Sequence, residues 1–225
     1  MQYGSWGNFA SVNNNVKSCR LDRRRCSIME AARVLFVEKG YEHTSLGDIV
    51  ERSGGSLATV YKLFGNKDGL LEAVVFEKAA SGEELIAEAV RTQPSPEATL
   101  HHIAEGLCAQ FLDPDVVALV RVVIARSISD PEFARRFFER TATRTTDSLE
   151  QLFASWERAG LAMNGTARIL AETFLELIFS DVHTEAISHG INVDHSPERL
   201  QARTEFFIAG AGIRNEASLP LRKAS

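Results

Sequence analysis

Apolar residues recur at helical spacing between residues 28 and 66, and they predict three short helices joined by turns that contain glycine. The first helix has an apolar stripe with a period of 3.6 residues, made of Ile28, Ala31, Ala32, Leu35 and Phe36. Gly40 follows this stripe and supplies the left-handed residue that commonly stands just beyond a helix end. Thr44 or Ser45 can cap the second helix, and Ser45 and Asp48 have the S-x-x-D spacing of a capping box.

The third helix is predicted over residues 57–64, after a turn at residues 53–55 and a cap at Ser56. Val60 and Phe64 lie four residues apart and are predicted to face the core. The outward face then has one cation, two hydroxyls and no acid, in Leu57, Ala58, Thr59, Tyr61, Lys62 and Leu63. Such a surface suits phosphates and base edges, so the three helices predict a helix-turn-helix whose last helix enters a DNA major groove.

The rest of the chain predicts helices without convincing strand alternation, so the expected fold class is all-α. One long helix is predicted from residue 67 to about residue 91, where a segment rich in proline ends it. Five more helices are predicted near 97–112, 115–129, 131–159, 165–189 and 197–213, with a break inside the third of them. Residues 1–19 are rich in Asn, Ser and Gly without periodicity and are predicted to be a disordered extension.

Charge is distributed unevenly along the chain. Residues 1–67 contain ten Lys or Arg and six Asp or Glu, a net charge of +4, whereas the remainder carries −9. A basic head on an acidic body suits a protein that meets a polyanion at one end only. An arginine cluster just before the first stripe predicts an arm that contacts phosphates or the minor groove through Arg24 and Arg25. The alternative is an ordinary solvated helix start.

The sequence indicates a cytoplasmic protein. It has no run of 18 apolar residues, and its N-terminus lacks the charged start and apolar centre of a secretory signal. Cys19, Cys26 and Cys108 have no paired spacing and fit a reducing compartment. The histidines have no convincing ligand spacing, so neither a metal nor a cofactor is expected.

The segment from residue 31 to residue 70 resembles the TetR family of one-component transcriptional regulators. The matching residues, at fixed spacing and without gaps, are Ala31-Ala32, Leu35-Phe36, Glu38, Gly40-Tyr41, Thr44-Ser45-Leu46, Asp48-Ile49, Ser53-Gly54, Ser56, Ala58-Thr59-Val60-Tyr61, Phe64, Asn66-Lys67-Asp68 and Leu70. Two positions depart from the family pattern: Gly55 stands where a valine usually fills the helix-turn-helix core, and Leu63 replaces the usual His or Tyr. Residues 100–190 resemble, more loosely, the C-terminal domain of the AefR-type branch.

This resemblance implies a DNA-binding domain over residues 20–66, an effector-binding and dimerisation domain over residues 67–215, and a flexible tail over residues 216–225. Tyr61 and Lys67 match the phosphate clamps of the family. The alternative is that Tyr61 is a core residue and Lys67 an ordinary lysine at a helix start. Thr44 and Ser45 stand at a helix N-terminus, where their hydroxyl and amide groups could donate to a phosphate.

Mostly apolar residues of the second domain are candidates for lining an effector cavity, although each one alone is better explained as plain core. They are Phe111, Val120, Ile124, Phe137, Phe138, Phe153, Trp156, Phe174, Leu177, Ile178 and His183. The last two predicted helices carry apolar faces that match the pairing helices of the family. The predicted dimer contacts are Ile169, Thr173, Leu177, Phe206, Phe207, Ala209 and Gly210. The alternative is that these faces pack within one chain, and both can be true.

The predicted function is a ligand-responsive transcriptional regulator without enzymatic activity. It is expected to bind a palindromic operator in double-stranded DNA as a homodimer, to act as a repressor, and to be released by a small, mainly apolar effector. The alternative is a helical enzyme or a hydrophobic carrier that does not act on DNA. No nucleophile elbow, Walker loop, dinucleotide fingerprint or paired-carboxylate motif supports that alternative.

Overall fold

The computed structural model describes the backbone of residues 9–141, 143–191 and 194–213, and the side chains of residues 22–77, 82–139, 144–191 and 194–213. Within these ranges the chain forms ten α-helices and no strand. The helices are α1 (Phe9–Lys39), α2 (Leu46–Ser53), α3 (Leu57–Phe64), α4 (Lys67–Thr92), α5 (Pro96–Phe111), α6 (Pro114–Ser129), α7 (Pro131–Thr141), α8 (Thr143–Arg158), α9 (Ala167–Ser188) and α10 (Pro197–Gly210). The predicted all-α class is confirmed.

The chain divides into two compact units, residues 1–75 and residues 76–225. The boundary lies inside α4 and not between residues 66 and 67, where the sequence analysis placed it. The reason is that Leu70, Leu71 and Val74, on the first turns of α4, are buried within the first unit. The predicted tail over residues 216–225 lies outside the described residues.

The first helix begins far earlier than its apolar stripe. α1 starts at Phe9, so a helical backbone extends into residues 9–19, where the sequence shows no periodicity, while residues 1–8 lie outside the described part of the chain. The disorder predicted for residues 1–19 stays a prediction. The sequence from residue 9 to residue 39 contains neither glycine nor proline, so nothing in the backbone interrupts a helix that continues back from the stripe. The stripe lies in the second half of α1 and does not show where the helix begins.

The second unit is a helical body around one apolar core. Its centre is aromatic: the ring of Phe207 lies 5.1 Å from that of Phe174 and 6.1 Å from that of Phe153, measured between centroids. Several helices of this unit begin with a capping side chain followed by a proline in the first turn. Before α5, for example, the Ser95 hydroxyl accepts from the Ala98 amide. At the far end of α9, the Arg121 guanidinium donates to the carbonyls of residues 185 and 186, at 3.1 and 2.9 Å.

The predicted helices of the body match those observed to within a few residues, including the break in the third, which separates α7 from α8. Proline and Asp-Pro pairs mark these joints reliably, because proline removes a backbone donor and fixes the start of the next helix. Over the described residues, no helix is both long and apolar enough to cross a membrane.

Candidate nucleic-acid interface

The α2–α3 pair is fixed at both helix starts by capping side chains. The Ser45 hydroxyl accepts from the Asp48 amide at 3.1 Å, and the Asp48 carboxylate accepts from the Ser45 amide at 2.8 Å. This reciprocal arrangement is the predicted capping box. The hydrogen bonds from the Ser45 hydroxyl and amide lower the pKa of Asp48 below its ordinary value. At the start of α3, the Ser56 hydroxyl accepts from the Thr59 amide at 3.3 Å.

The faces of α3 follow the predicted division in part, because Phe64, predicted to face the core, is half-buried. Val60 is fully buried, whereas Leu57 and Tyr61 are 45% and 55% exposed. Ala58 and Lys62 are also exposed, and Thr59 and Leu63 are half-buried at the edges of this face. We call the six residues Leu57, Ala58, Thr59, Tyr61, Lys62 and Leu63 the α3 face. It carries one positive charge and no acid, which favours a polyanionic partner.

The residues predicted to bind phosphate at the start of α2 are engaged inside the protein. Thr44 is only 1% exposed, and its hydroxyl lies 2.8 Å from the Gly40 carbonyl and 3.1 Å from that of Leu35. Its amide donates to the Tyr41 carbonyl at 3.2 Å. Ser45 is exposed, but its amide and hydroxyl both meet the Asp48 carboxylate, so the anion at this helix start is already supplied by the chain. The predicted phosphate contact through the Thr44 hydroxyl is therefore wrong.

Lys67 has a structural task that the sequence did not reveal. Its ammonium donates to the carbonyls of Tyr41 and Thr44, at 2.9 and 3.0 Å, and lies 4.1 Å from the centroid of the Tyr41 ring. The Tyr41 hydroxyl in turn donates to the Asp68 carboxylate. An ammonium has three N–H groups, so one remains for a phosphate. No periodicity signals these contacts, because they join residues 23 to 27 positions apart.

Arg24 and Arg25 do not form an arm. Both lie within α1, and their side chains pack on the helix-turn-helix: the Arg24 guanidinium donates to the Ser53 carbonyl at 3.1 Å, and that of Arg25 lies 5.0 Å from the centroid of the Phe64 ring. The predicted arm is wrong because the helix extends past it toward the N-terminus. The structure thus places the residues of the α3 face on one side of that helix. The other predicted residues, Arg24, Arg25, Thr44 and Lys67, make contacts within the first unit.

Comparison with known proteins relates both units to transcriptional regulators. A family model described as bacterial regulatory proteins of the tetR family matches residues 28–74. A second, described as the C-terminal domain of AefR-like transcriptional repressors, matches residues 98–208. The chain belongs to the TetR family of transcriptional regulators.

Relatives and solved structures extend over most of the chain. HbdR, an HTH-type transcriptional regulator of Aromatoleum sp., is 25% identical over 218 residues, which are 93% of this chain and 92% of HbdR. The repressor ComR of Escherichia coli is 45% identical over only 51 residues, 23% of this chain and 24% of ComR. A TetR-family regulator from Mesorhizobium loti superposes with a TM-score of 0.70 at 26% identity, covering 84% of this chain and 97% of that one.

The fold is shared more widely than the sequence. GusR of Salmonella enterica has a TM-score of 0.63 at 19% identity, covering 84% of this chain and 95% of GusR. The relatives and neighbours are transcriptional regulators, so the alternative of a helical enzyme or a carrier that does not act on DNA is wrong. This TetR-family member is a DNA-binding regulator of transcription and not an enzyme.

In this TetR-family body, most predicted effector residues belong to the core or to the surface. Phe111, Phe153, Phe174 and Ile178 are buried in the core cluster, with Val120, Trp156 and Leu177 packed against it. Phe137 is buried beside Phe133, Ile124 is half-buried, and Phe138 and His183 are exposed. Phe138 and His183 are therefore exposed in the single chain, and their place at an effector cavity stays a prediction.

A cleft of about 350 Å³ lies elsewhere, between α5 and α10. Its apolar walls include Ala104 and Leu200, which adjoin the core cluster, and its polar rim includes His101, Glu105 and Gln201. None of the predicted effector residues lines this cleft. The described side chains contain no group of three or more His, Cys, Asp or Glu that could hold a metal ion.

The predicted dimer residues divide between surface and core. Ile169, Thr173, Ala209 and Gly210 are exposed on α9 and α10, and Leu177 is half-buried. Phe206 is 81% exposed, which is unusual for so large an apolar side chain. Phe207 is buried at 6% exposure in the aromatic core, so at this position the structure shows the alternative of packing within one chain.

Proposed function

We propose that this TetR-family regulator is a homodimeric repressor that binds a palindromic operator through its α3 face and releases it when a small effector occupies the second unit. The observation that carries the proposal is the exposure of Leu57 and Tyr61 beside a fully buried Val60. A short, well-capped helix with one free side and a positive charge fits the dimensions and the chemistry of a major groove.

A dimer is proposed because one helix-turn-helix contacts only a half-site. Two heads about 34 Å apart, one turn of DNA, would match an inverted repeat. The exposed apolar side chains of α9 and α10, above all Ile169 and Phe206, support pairing of these helices with those of a second copy. Ala209 and Gly210 are exposed beside them, and small residues permit a close approach. A Cβ added at Gly210 would meet no atom within 4 Å in the monomer.

The effector is proposed to enter the cleft between α5 and α10. Its volume of about 350 Å³ suits a small molecule, and its walls of alanine, leucine and proline favour a mainly apolar ligand. The rim of imidazole, carboxylate and amide groups could orient one polar end. A ligand that prefers the released state by a few kcal/mol suffices to abolish operator binding. We place the protein in the cytoplasm, where its DNA target lies.

Selection of genomic DNA fragments by the full-length protein tests DNA recognition. We expect enrichment of an inverted repeat whose half-sites are centred about 10 base pairs, or a multiple of that, apart. The Lys62→Glu variant should lose this enrichment, because a negative charge on the α3 face repels phosphates. Recovery of no common sequence by the wild-type protein would contradict the proposal.

Filling the cleft tests the effector site. Ala109 lines the cleft but is exposed, so Ala109→Trp should obstruct ligand entry without disturbing the core. We expect this variant to bind the operator normally and to resist release by ligands found in a thermal-shift screen. Ala125→Trp, on an exposed position of α6, is the matched control and should respond like the wild-type protein. Equal release of both variants would place the effector elsewhere.

A further inference from the structure

We propose that Arg24 is a positioning residue for DNA recognition: its guanidinium occupies the space left by the missing side chain at Gly55 and fixes the turn between α2 and α3. This inference rests on the proposed function, in which α3 contacts the operator. It assigns the half-buried guanidinium of Arg24 to the turn of the helix-turn-helix and not to a DNA phosphate.

The guanidinium of Arg24 lies directly over the turn. Its Nη1 atom donates to the Ser53 carbonyl at 3.1 Å. A Cβ atom built on Gly55 would lie 1.9 Å from Nη2, 2.7 Å from Cζ and 2.9 Å from Nε of Arg24. Real Cβ atoms do not approach other heavy atoms so closely, so any side chain at position 55 and the observed guanidinium exclude one another.

Backbone conformation makes glycine the residue that fits this turn. Gly55 has φ of +103° and Gly54 has φ of +72°, values that glycine adopts without a steric penalty from Cβ. With two glycines in succession, the turn has no side chain of its own to pack against the rest of the head. The arginine from α1 supplies that packing from outside the turn.

The same contact caps the end of α2. The Ser53 carbonyl, one of the last in that helix, accepts from Arg24 Nη1 and also from the Ser27 hydroxyl at 3.3 Å. The final carbonyls of a helix lack partners within the helix and carry partial negative charge. A cation there therefore satisfies an acceptor and interacts favourably with the helix dipole, while lying between α1 and the turn that leads into α3.

The neighbouring arginine holds the other end of α3. The Arg25 guanidinium lies 5.0 Å from the centroid of the ring of Phe64, the last residue of that helix, at a distance suited to a cation–π contact. Two consecutive residues of α1 therefore contact the turn before α3 and the residue that ends it. The direction in which the α3 face points is set by α1 through these contacts.

Hydrogen exchange of the full-length protein without DNA tests the positioning itself. Arg24→Ala should accelerate exchange of the amides in residues 54–60, because the turn loses its packing and its cap. Arg33→Ala is the matched control: it removes the same charge from α1, where the guanidinium pairs with Glu30 at 2.6 Å, and should leave these amides unchanged. Unchanged exchange in Arg24→Ala would overturn the proposal, whatever happens to DNA binding.

Salt titrations of operator binding separate positioning from phosphate contact. We expect Arg24→Ala to weaken binding about ten-fold without changing the slope of log affinity against log salt. Arg24→Lys should be weakened nearly as much, because lysine keeps the charge but not the planar group that covers the turn. A slope that falls by about 0.9 in Arg24→Ala, with full affinity in Arg24→Lys, would identify a phosphate contact and overturn the proposal.

A double-mutant cycle provides the last arm. Gly55→Ala should weaken operator binding more in the wild-type background than in Arg24→Ala, because the guanidinium that the new methyl group displaces is already absent there. Additive effects would show that the two positions act separately and would overturn the proposal. If the wild-type protein selects no operator, the proposed function fails, and hydrogen exchange still decides the role of Arg24.

Discussion

Phe206 and Phe207 are consecutive residues of α10 that face opposite environments. The Phe206 side chain is 81% exposed, whereas that of Phe207 is 6% exposed and packs against the rings of Phe153 and Phe174. One helix thereby contributes an aromatic ring to the core and another to the surface that we assign to the dimer. Substitutions at these two positions can therefore test packing within the chain and the proposed dimerisation independently.

We predict opposite consequences for the same substitution at these two positions. Phe207→Ala should destabilise the second unit by about 3–5 kcal/mol, because it leaves a cavity in the aromatic core. Phe206→Ala should leave the unfolding of a monomer unchanged and shift the sedimentation equilibrium from dimer toward monomer. Chemical denaturation and analytical ultracentrifugation provide the two measurements. A Phe206→Ala protein that remains fully dimeric at the lowest measurable concentration would contradict the assigned surface.

Lys62 and Lys67 should respond differently to loss of charge. Lys62 is exposed on the α3 face, so Lys62→Ala should weaken binding to all sequences similarly and reduce the salt slope by about 0.9. Lys67→Ala should also lower the thermal stability of the first unit, because the carbonyls of Tyr41 and Thr44 lose their charged donor. Gel-shift titrations and thermal melts distinguish the two effects. Lys62→Arg, which keeps the charge, should keep the wild-type slope.

The capping box predicts an acid-dependent loss of stability in the first unit. Hydrogen bonds from Ser45 lower the pKa of Asp48 in the folded state, so the ionised carboxylate is favoured by folding. Its stabilising contribution is complete above the ordinary pKa of 3.8 and is lost as the pH falls through the lower folded value. Urea denaturation should therefore show Asp48→Ala less stable than wild type at pH 6, with the difference shrinking below pH 4. A difference independent of pH would contradict this origin.

Cys26 and Cys108 should differ in reactivity toward alkylating agents. Cys26 is exposed, whereas burial, and secondarily the charge of Asp181, raises the pKa of the Cys108 thiol. Because the thiolate is the reactive form, iodoacetamide at pH 8 should label Cys26 first, and Cys108 only at higher pH. Peptide mapping by mass spectrometry measures each rate. In urea the two cysteines should react at similar rates, and faster labelling of Cys108 in the native protein would contradict the prediction.

Local signals in the sequence predicted the helices and caps of the helix-turn-helix well. The bounds of α3, its cap at Ser56 and the buried side of Val60 follow from spacing within a single helix, where one residue determines the environment of the next. The same holds for the capping box of α2, because all of its partners lie within four residues. Proline positions located the joints of the body for the same reason.

Contacts between distant segments could not be predicted in this way. The contacts of Arg24 with Ser53 and of Lys67 with Thr44 join residues 29 and 23 positions apart, and a charged side chain gives no periodic sign of its partner. The effector candidates stay predictions for a related reason. Apolar character identifies side chains that avoid water. It does not separate a core residue such as Phe174 from an apolar residue that lines a cleft.

In the proposed function, the two carbonyls that accept from Lys67 would also affect how effector binding is coupled to release of the operator. Lys67 is the first residue of α4, and its ammonium ties that helix to the loop that leads into α2. Rotation of α4 relative to this loop would break two charge-assisted, partly buried hydrogen bonds. We therefore expect the start of α4 and the loop to move together. A displacement of the start of α4 would therefore move α2 and α3 with it as a rigid unit. DNA release would then follow from reorientation of a folded helix-turn-helix and not from its unfolding.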